Sequence, residues 1–338
     1  MAKKLKDSEV KLMFAEVVRG YTKVASYDFG LIYVKHINTF DSADIESERM
    51  LYENKAIEMG VLSEEEYAKL LEKDGTWTSK DEDKIAQNKV MLKNLEKTKS
   101  KLHLKSQVDQ VKKQIKKVEE NLLKLNSEKR AIFSNTVEGY GNKKVNEYYM
   151  RLSTYSDEYL EKKRFTNEEF DELEDDQMQE LIAVYNVAVS KFVSHNQQLL
   201  ALSPLFLNFF YLCDDNAVNF YGKPIVELSF YQAELFGHGI RFKSILSDSK
   251  SKPPDDIAED PEKLIEWADV NKNAEEIMSK GGADDSREGM ATSLVGATQE
   301  DLKHLGIDPK AEGISLQKAA SKNGGSLNME DLMKLHGV

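Results

Sequence analysis

Apolar residues Val108, Val111, Ile115, Val118, Leu122 and Leu125 recur at alternating spacings of three and four. That is the a and d pattern of a coiled-coil stripe. A second stripe, Ile85, Leu92, Leu95 and Leu102, precedes it. The register breaks between Leu102 and Val108. Ser106, with Asp109 three residues on, reads as a fresh helix N-cap, which places a turn at 103–105. Two helices of about 23 and 28 residues, folded back on each other, would make an antiparallel hairpin ~35–40 Å long at 1.5 Å per residue. One continuous helix with a stutter, pairing with a second chain, satisfies the same pattern.

Before the stripes the pattern is different. Segments 13–18, 21–25 and 31–37 are rich in Val, Ile, Tyr and Phe and are punctuated by Gly20 and Gly30, which predicts two or three strands. Helical spacing takes over after Thr39: Asp41 or Ser42 can cap a helix carrying Ile45, Met50, Leu51 and Ile57 and ended by Gly60. Ser63 caps the next, with Glu66 in capping-box position. Thr78 and Asp81 repeat the device, with Trp77 as the hydrophobic staple.

Downstream of Gly139-Tyr140-Gly141 the pattern is helical throughout. Thr166 caps one helix, and a helix over 177–198 carries Leu181, Tyr185, Val189 and Phe192. Ser203-Pro204 is a cap followed by proline at the first helical position. It opens the aromatic run Phe206, Phe209, Phe210 and Tyr211. Gly222-Lys223-Pro224 leads to a helix over 226–246. Lys252-Pro253-Pro254 is a linker, and a short amphipathic helix over 261–279 carries Leu264 and Trp267. The expected fold is mainly α: a strand-containing N-terminal subdomain (1–76), a helical hairpin (77–138), a helical domain (139–248), a linker with an amphipathic helix (249–280), and a largely disordered tail (281–338) poor in apolar residues.

Charge sharpens this picture. The chain carries −12 overall, yet residues 84–130 hold 14 Lys/Arg against 5 Asp/Glu, so the hairpin is +9 and the remainder −21. The Lys112, Lys113, Lys116 and Lys117 face is a candidate partner-binding surface. The aromatic residues Phe206, Phe209 and Phe210, with Trp267, form a second. Core packing is the plainer reading of the aromatic run, and a solvated exterior that of the lysines. Overall acidity, a single arginine in the hairpin and the lack of interleaved aromatics weigh against nucleic acid as partner.

The single cysteine, Cys213, excludes an intramolecular disulfide and fits a reducing compartment. No apolar stretch reaches the ~20 residues of a membrane span, and no signal peptide is apparent, so the expected location is the cytoplasm. The histidines at 36, 103, 195, 238, 304 and 336 show no metal-ligand spacing. His238 stands between Gly237 and Gly239, which reads as a kink or a tight helix crossing. No catalytic, cofactor or metal residues are assigned, although the Asp214-Asp215 pair after the aromatic helix stands out among the carboxylates.

Several segments carry a likeness: Ala56-Ile57-Glu58-Met59-Gly60-Val61-Leu62 into Ser63-Glu64-Glu65-Glu66; Gly75-Thr76-Trp77-Thr78 with Asp81-Glu82-Asp83; Leu202-Ser203-Pro204-Leu205-Phe206; Gly222-Lys223-Pro224-Ile225; and Asp260-Pro261-Glu262-Lys263-Leu264-Ile265-Glu266-Trp267. Together, over about 55–275, the chain resembles virion-morphogenesis proteins of large tailed bacteriophages, in particular tail or baseplate assembly proteins and tail-assembly chaperones. The resemblance implies a non-enzymatic protein of the infected cell's cytoplasm or the virion, without a cofactor. Its partners would be other virion or assembly proteins, and copies of itself. A generic coiled-coil adaptor and a nucleic-acid factor using the lysine face are the alternatives.

Overall fold

The computed structural model describes residues 6–102, 104–247 and 252–280. Among them the fold is mainly α, with one three-stranded antiparallel sheet. The expected disordered tail, together with His304 and His336, lies outside the described residues. No described helix is long and apolar enough to cross a membrane. The chain divides into two compact units, 1–90 with 119–268, and 91–118 with 269 onward.

Segment 13–18 is not a strand; it belongs to α1 (Asp7–Arg19). Val10, Met13, Phe14 and Val17 satisfy helical spacing, and Met13 and Val17 are buried with Val10 and Phe14 packed beside them. That burial outweighs the β preference of valine. Gly20, at φ +79°, ends the helix and turns the chain into the sheet, a left-handed conformation in which glycine carries no Cβ penalty.

Strands β1 (Tyr21–Ser26) and β2 (Gly30–Lys35) form a hairpin in the register Tyr21↔Lys35 to Ser26↔Gly30. α2 (Thr39–Glu58) starts earlier than its carboxylate suggests. Asn38 is the cap, and Asp41 closes a reciprocal capping box, accepting from the Asn38 N–H at 3.1 Å. α3 (Glu64–Asp74) is capped by Ser63 and Glu66 as the sequence predicts.

α4 (Ser79–Lys99) and α5 (Lys105–Ile132) are two separate helices. Glu82, near the start of α4, pairs with Lys129, near the end of α5, at 2.7 Å. At this base the helices therefore run antiparallel. Trp77 is buried, with its ring edge-on to Phe133 at 6.1 Å. The start of α5 corrects the expected Ser106 cap: Leu104 occupies the cap position, its carbonyl accepting from the Val108 N–H at 3.0 Å.

α6 (Val137–Ser153) contains Gly139-Tyr140-Gly141 rather than following it. A Cβ on Gly139 would fall 2.5 Å from the Phe133 carbonyl oxygen, and one on Gly141 2.7 Å from Glu53 Cγ of α2. These glycines permit close backbone approach. β3 (Thr154–Tyr155) joins β2 through Tyr33↔Tyr155 and Val34↔Thr154. α7 (Asn167–Asp171) is capped by Thr166. α8 (Asp175–Ser190) lays Leu181, Val184 and Ala188 against Ile32 and Val34 of the sheet. The Glu180 carboxylate accepts from Ser26 Oγ and the Tyr27 and Asp28 N–H groups, tying the hairpin turn to this helix.

The single helix expected over 177–198 is broken at Lys191–Val193, and α9 (Ser194–Leu202) resumes beyond it. Lys191 turns to Glu16 at 2.8 Å, and Phe192 is buried against His36 and Tyr231. Tertiary packing overrides the local pattern there. α10 (Pro204–Tyr211), α11 (Ala217–Tyr221) and α12 (Phe230–Ser247) follow. α12 starts later than the expected 226 because Ser229 and Gln232 exchange a capping box, at 3.2 and 3.0 Å. α13 (Asp255–Ala258) and α14 (Pro261–Lys280) return Ile257 and Leu264 to the aromatic core.

In the smaller unit the a/d stripe is the face out of solvent. Val108 and Val118 are buried and Val111 and Ile115 half-buried, while Lys113, Lys116 and Lys117 are exposed.

Candidate partner-docking groove

α10 is built by its first two residues. Ser203 Oγ accepts from the Phe206 N–H at 3.3 Å, and Pro204 occupies a position that needs no donor,. The helix then sorts its aromatics by spacing. Phe206 and Phe210, one turn apart, are both 0% exposed and stack at 5.2 Å. A Cβ on Gly239 of α12 would lie 2.7 Å from Phe210 and 2.9 Å from Phe206. The Gly237-His238-Gly239 segment is therefore a tight crossing within a continuous helix.

Phe209 faces the other way and is 53% exposed. Its ring stacks on Phe14 of α1 at 5.8 Å. Beyond α10 the chain turns sharply through Cys213, Asp214 and Asp215, the last two at φ +51° and +55°. Two consecutive non-glycine residues in the left-handed region are strained, on the order of 1 kcal/mol each. Asn216 then caps α11 through the Val218 N–H at 2.9 Å, and Asn219 Nδ2 donates to the Cys213 carbonyl at 3.3 Å.

Between α1 and this turn lies a groove of about 310 Å³, walled by Phe14 and Val18 on one side and Phe209, Leu212, Cys213, Asn219 and Phe220 on the other. Leu212 is 81% exposed at its edge and Val218, beside the lining Asn219, 51%. Lys243 of α12 pairs with Asp215 at 2.8 Å, and that carboxylate holds the Lys243 ammonium above its usual range. Asp214 makes no hydrogen bond or ion pair among the described residues.

The sequence-derived candidates are thus divided. Phe206 and Phe210 are core residues, so no partner can touch them; this corrects their place in the candidate surface. Trp267 packs against the same core cluster. Phe209 alone of the three phenylalanines reaches the surface. Lys112, Lys113, Lys116 and Lys117 lie on α5 in the other unit. Sequence reasoning missed Phe14, Val18, Leu212 and Asn219. Phe14 and Val18 are spaced one helical turn apart, a signal hidden by reading the segment as a strand.

Two polar positions elsewhere carry chemistry of their own. His36 is buried, its Nε2 2.9 Å from Thr22 Oγ1, with Phe192 and Tyr231 edge-on to the ring. Burial, helped by the nearby Lys191 charge, pushes its pKa down to about 3, so it stays neutral. Lys163 has its ammonium 4.2 Å over the Tyr155 ring and bonded to the Leu152 carbonyl. Desolvation at that spot, then the Lys35 charge, lowers it to about 8 although the residue as a whole is exposed. Among the described residues no three His, Cys, Asp or Glu side chains are grouped so as to hold a metal ion. The fold and groove define a mainly helical protein with an open apolar groove. No family model, curated protein or solved structure matches the chain.

Proposed function

We propose that this is a non-enzymatic assembly protein that docks segments of other proteins, working in tail or baseplate morphogenesis of a tailed bacteriophage. The observation that carries the docking role is the apolar groove beside exposed Phe209, Leu212 and Val218. Apolar surface gathered around a concavity marks an interaction site more often than scattered exposed residues do. The phage setting rests on the resemblance of the segments quoted above.

Affinity capture of the full chain from producing cells, with mass spectrometry of the bound proteins, tests both parts. Tail or baseplate components are expected with the wild type and lost with Leu212→Glu, a change at an exposed position that leaves the core intact. Recovery of nothing, or of RNA alone, would overturn the reading. A second reading, an adaptor whose hairpin pairs between copies, is favoured by the half-buried Val111 and Ile115 on the stripe. It requires a mass by light scattering that rises with concentration.

A further inference from the structure

Taking the groove as the docking site, we infer that its occupant is a basic amphipathic helix of a partner protein. That helix would seat large apolar side chains against Phe209 and Leu212 and set a lysine or arginine on Asp214.

Size gives the first argument. An apolar cavity of roughly 150 Å³ accommodates one benzene ring, so about 310 Å³ has room for two side chains of leucine or phenylalanine size. Residues four apart on one helix supply such a pair. The lining gives the second. Asn219 is the one polar side chain among the wall residues, and its amide is already bonded to the Cys213 carbonyl. The groove therefore presents little that would reward a polar occupant.

Charge gives the third. Asp214 and Asp215 follow Cys213 directly, and the single ammonium of Lys243 bonds Asp215 while its charge also reaches Asp214. Two carboxylates thus share one cation and the groove's edge keeps a net negative charge, which a partner lying across it must meet with a positive one or leave uncompensated, an unfavourable outcome. An acidic helix is excluded on that ground, and a neutral one is disfavoured. A cation one turn from the apolar pair resolves the cost, and the net charge of −12 adds long-range attraction of the same sign.

The test uses two designed helical peptides that differ at one position. Each carries leucines four apart; one has lysine a turn away and the other glutamate. Binding to the full chain is read by fluorescence anisotropy. The lysine peptide is expected to bind at least ~10-fold tighter, as for a charge pair sheltered at an interface. Asp214→Asn should bring the two peptides within about threefold, and Leu212→Ser should weaken both roughly tenfold.

Equal binding of the two peptides by the wild type would overturn the charge assignment without any variant having to fold. No binding of either, while affinity capture still recovers assembly proteins, would overturn the helical occupant and leave the docking function standing. Peptide binding with no assembly protein captured would support this partner chemistry and remove the phage setting instead. A concentration-dependent dimer abolished by Leu212→Ser would put a second copy in the groove and overturn the proposal.

Discussion

The two faces of α10 carry the same kind of residue and meet opposite fates. Phe206 and Phe210 are sealed under α12, where Gly239 removes the side chain that would otherwise hold the helices apart. Phe209 and Leu212 lie open beside α1. The inward face gives stability through close packing. The outward face leaves apolar area in water, at about 25 cal/mol per Å², an arrangement a monomer gains nothing from unless something covers it. Hydrophobicity alone does not separate core from interface; what separates them is which neighbour arrives on each side.

Buried groups should dominate the stability measurements over the open face, and His36, enclosed by Phe192 and Tyr231, offers the largest expected effect. Its folded pKa, about 3, lies below the ordinary value of 6.5, so between those values the unfolded chain binds the extra proton. The stabilisation is complete above pH 6.5 and is lost as pH falls toward 3. At about 1.4 kcal/mol per pH unit this amounts to at most about 5 kcal/mol. Urea denaturation at pH 7 and pH 4 should show the loss, and His36→Leu should flatten the dependence. An unchanged pH slope in that variant would mean the acid sensitivity lies elsewhere.

Truncation of the aromatics tests the comparison directly. Phe206→Ala should destabilise by about 3–5 kcal/mol, the usual consequence of emptying a buried phenylalanine site. Phe209→Ala should cost less than about 1 kcal/mol while weakening partner binding. Similar losses for both would mean the groove is part of the core. Gly239→Ala comes next, at about 1–3 kcal/mol for overpacking, because the new methyl meets two stacked rings that cannot both withdraw. Gly237→Ala is its control, since a Cβ there meets nothing within 4 Å. A loss at 237 equal to that at 239 would remove the tight crossing as the explanation.

Local signals made much of this fold legible. The caps at Ser63 and Thr166, the proline start of α10 and the a/d stripe of α5 depend on residues within one or two turns. Features created by distant partners were not legible. β3 is only two residues long and exists because β2 offers it an edge. The break after α8 depends on Glu16 drawing Lys191 away and on a hydrophobic site waiting for Phe192. The groove suffered from both problems: one wall comes from a helix whose valines read as a strand, the other from a turn whose sequence shows two aspartates but not their left-handed φ. Periodicity pairs Phe206 with Phe210 and sets Phe209 apart, yet it cannot say which face α12 will cover.

The smallest effect separates strain from function at the groove's edge. Glycine takes up φ +51° without the Cβ penalty that Asp214 bears, so Asp214→Gly should stabilise the protein by about 0.5–1 kcal/mol. Asp215→Gly should gain the same or less, because it also gives up the pair with Lys243, and a surface ion pair contributes about 0–1 kcal/mol. The informative outcome is a crossing of two readouts in one variant. Asp214→Gly should unfold at a higher denaturant concentration and yet lose its preference for the lysine peptide over the glutamate peptide. A site that is more stable without its aspartate, and less selective, keeps that residue for what it binds. If Asp214→Gly is instead destabilised, the carboxylate supports the turn itself, and the left-handed pair has a structural cause that requires no partner.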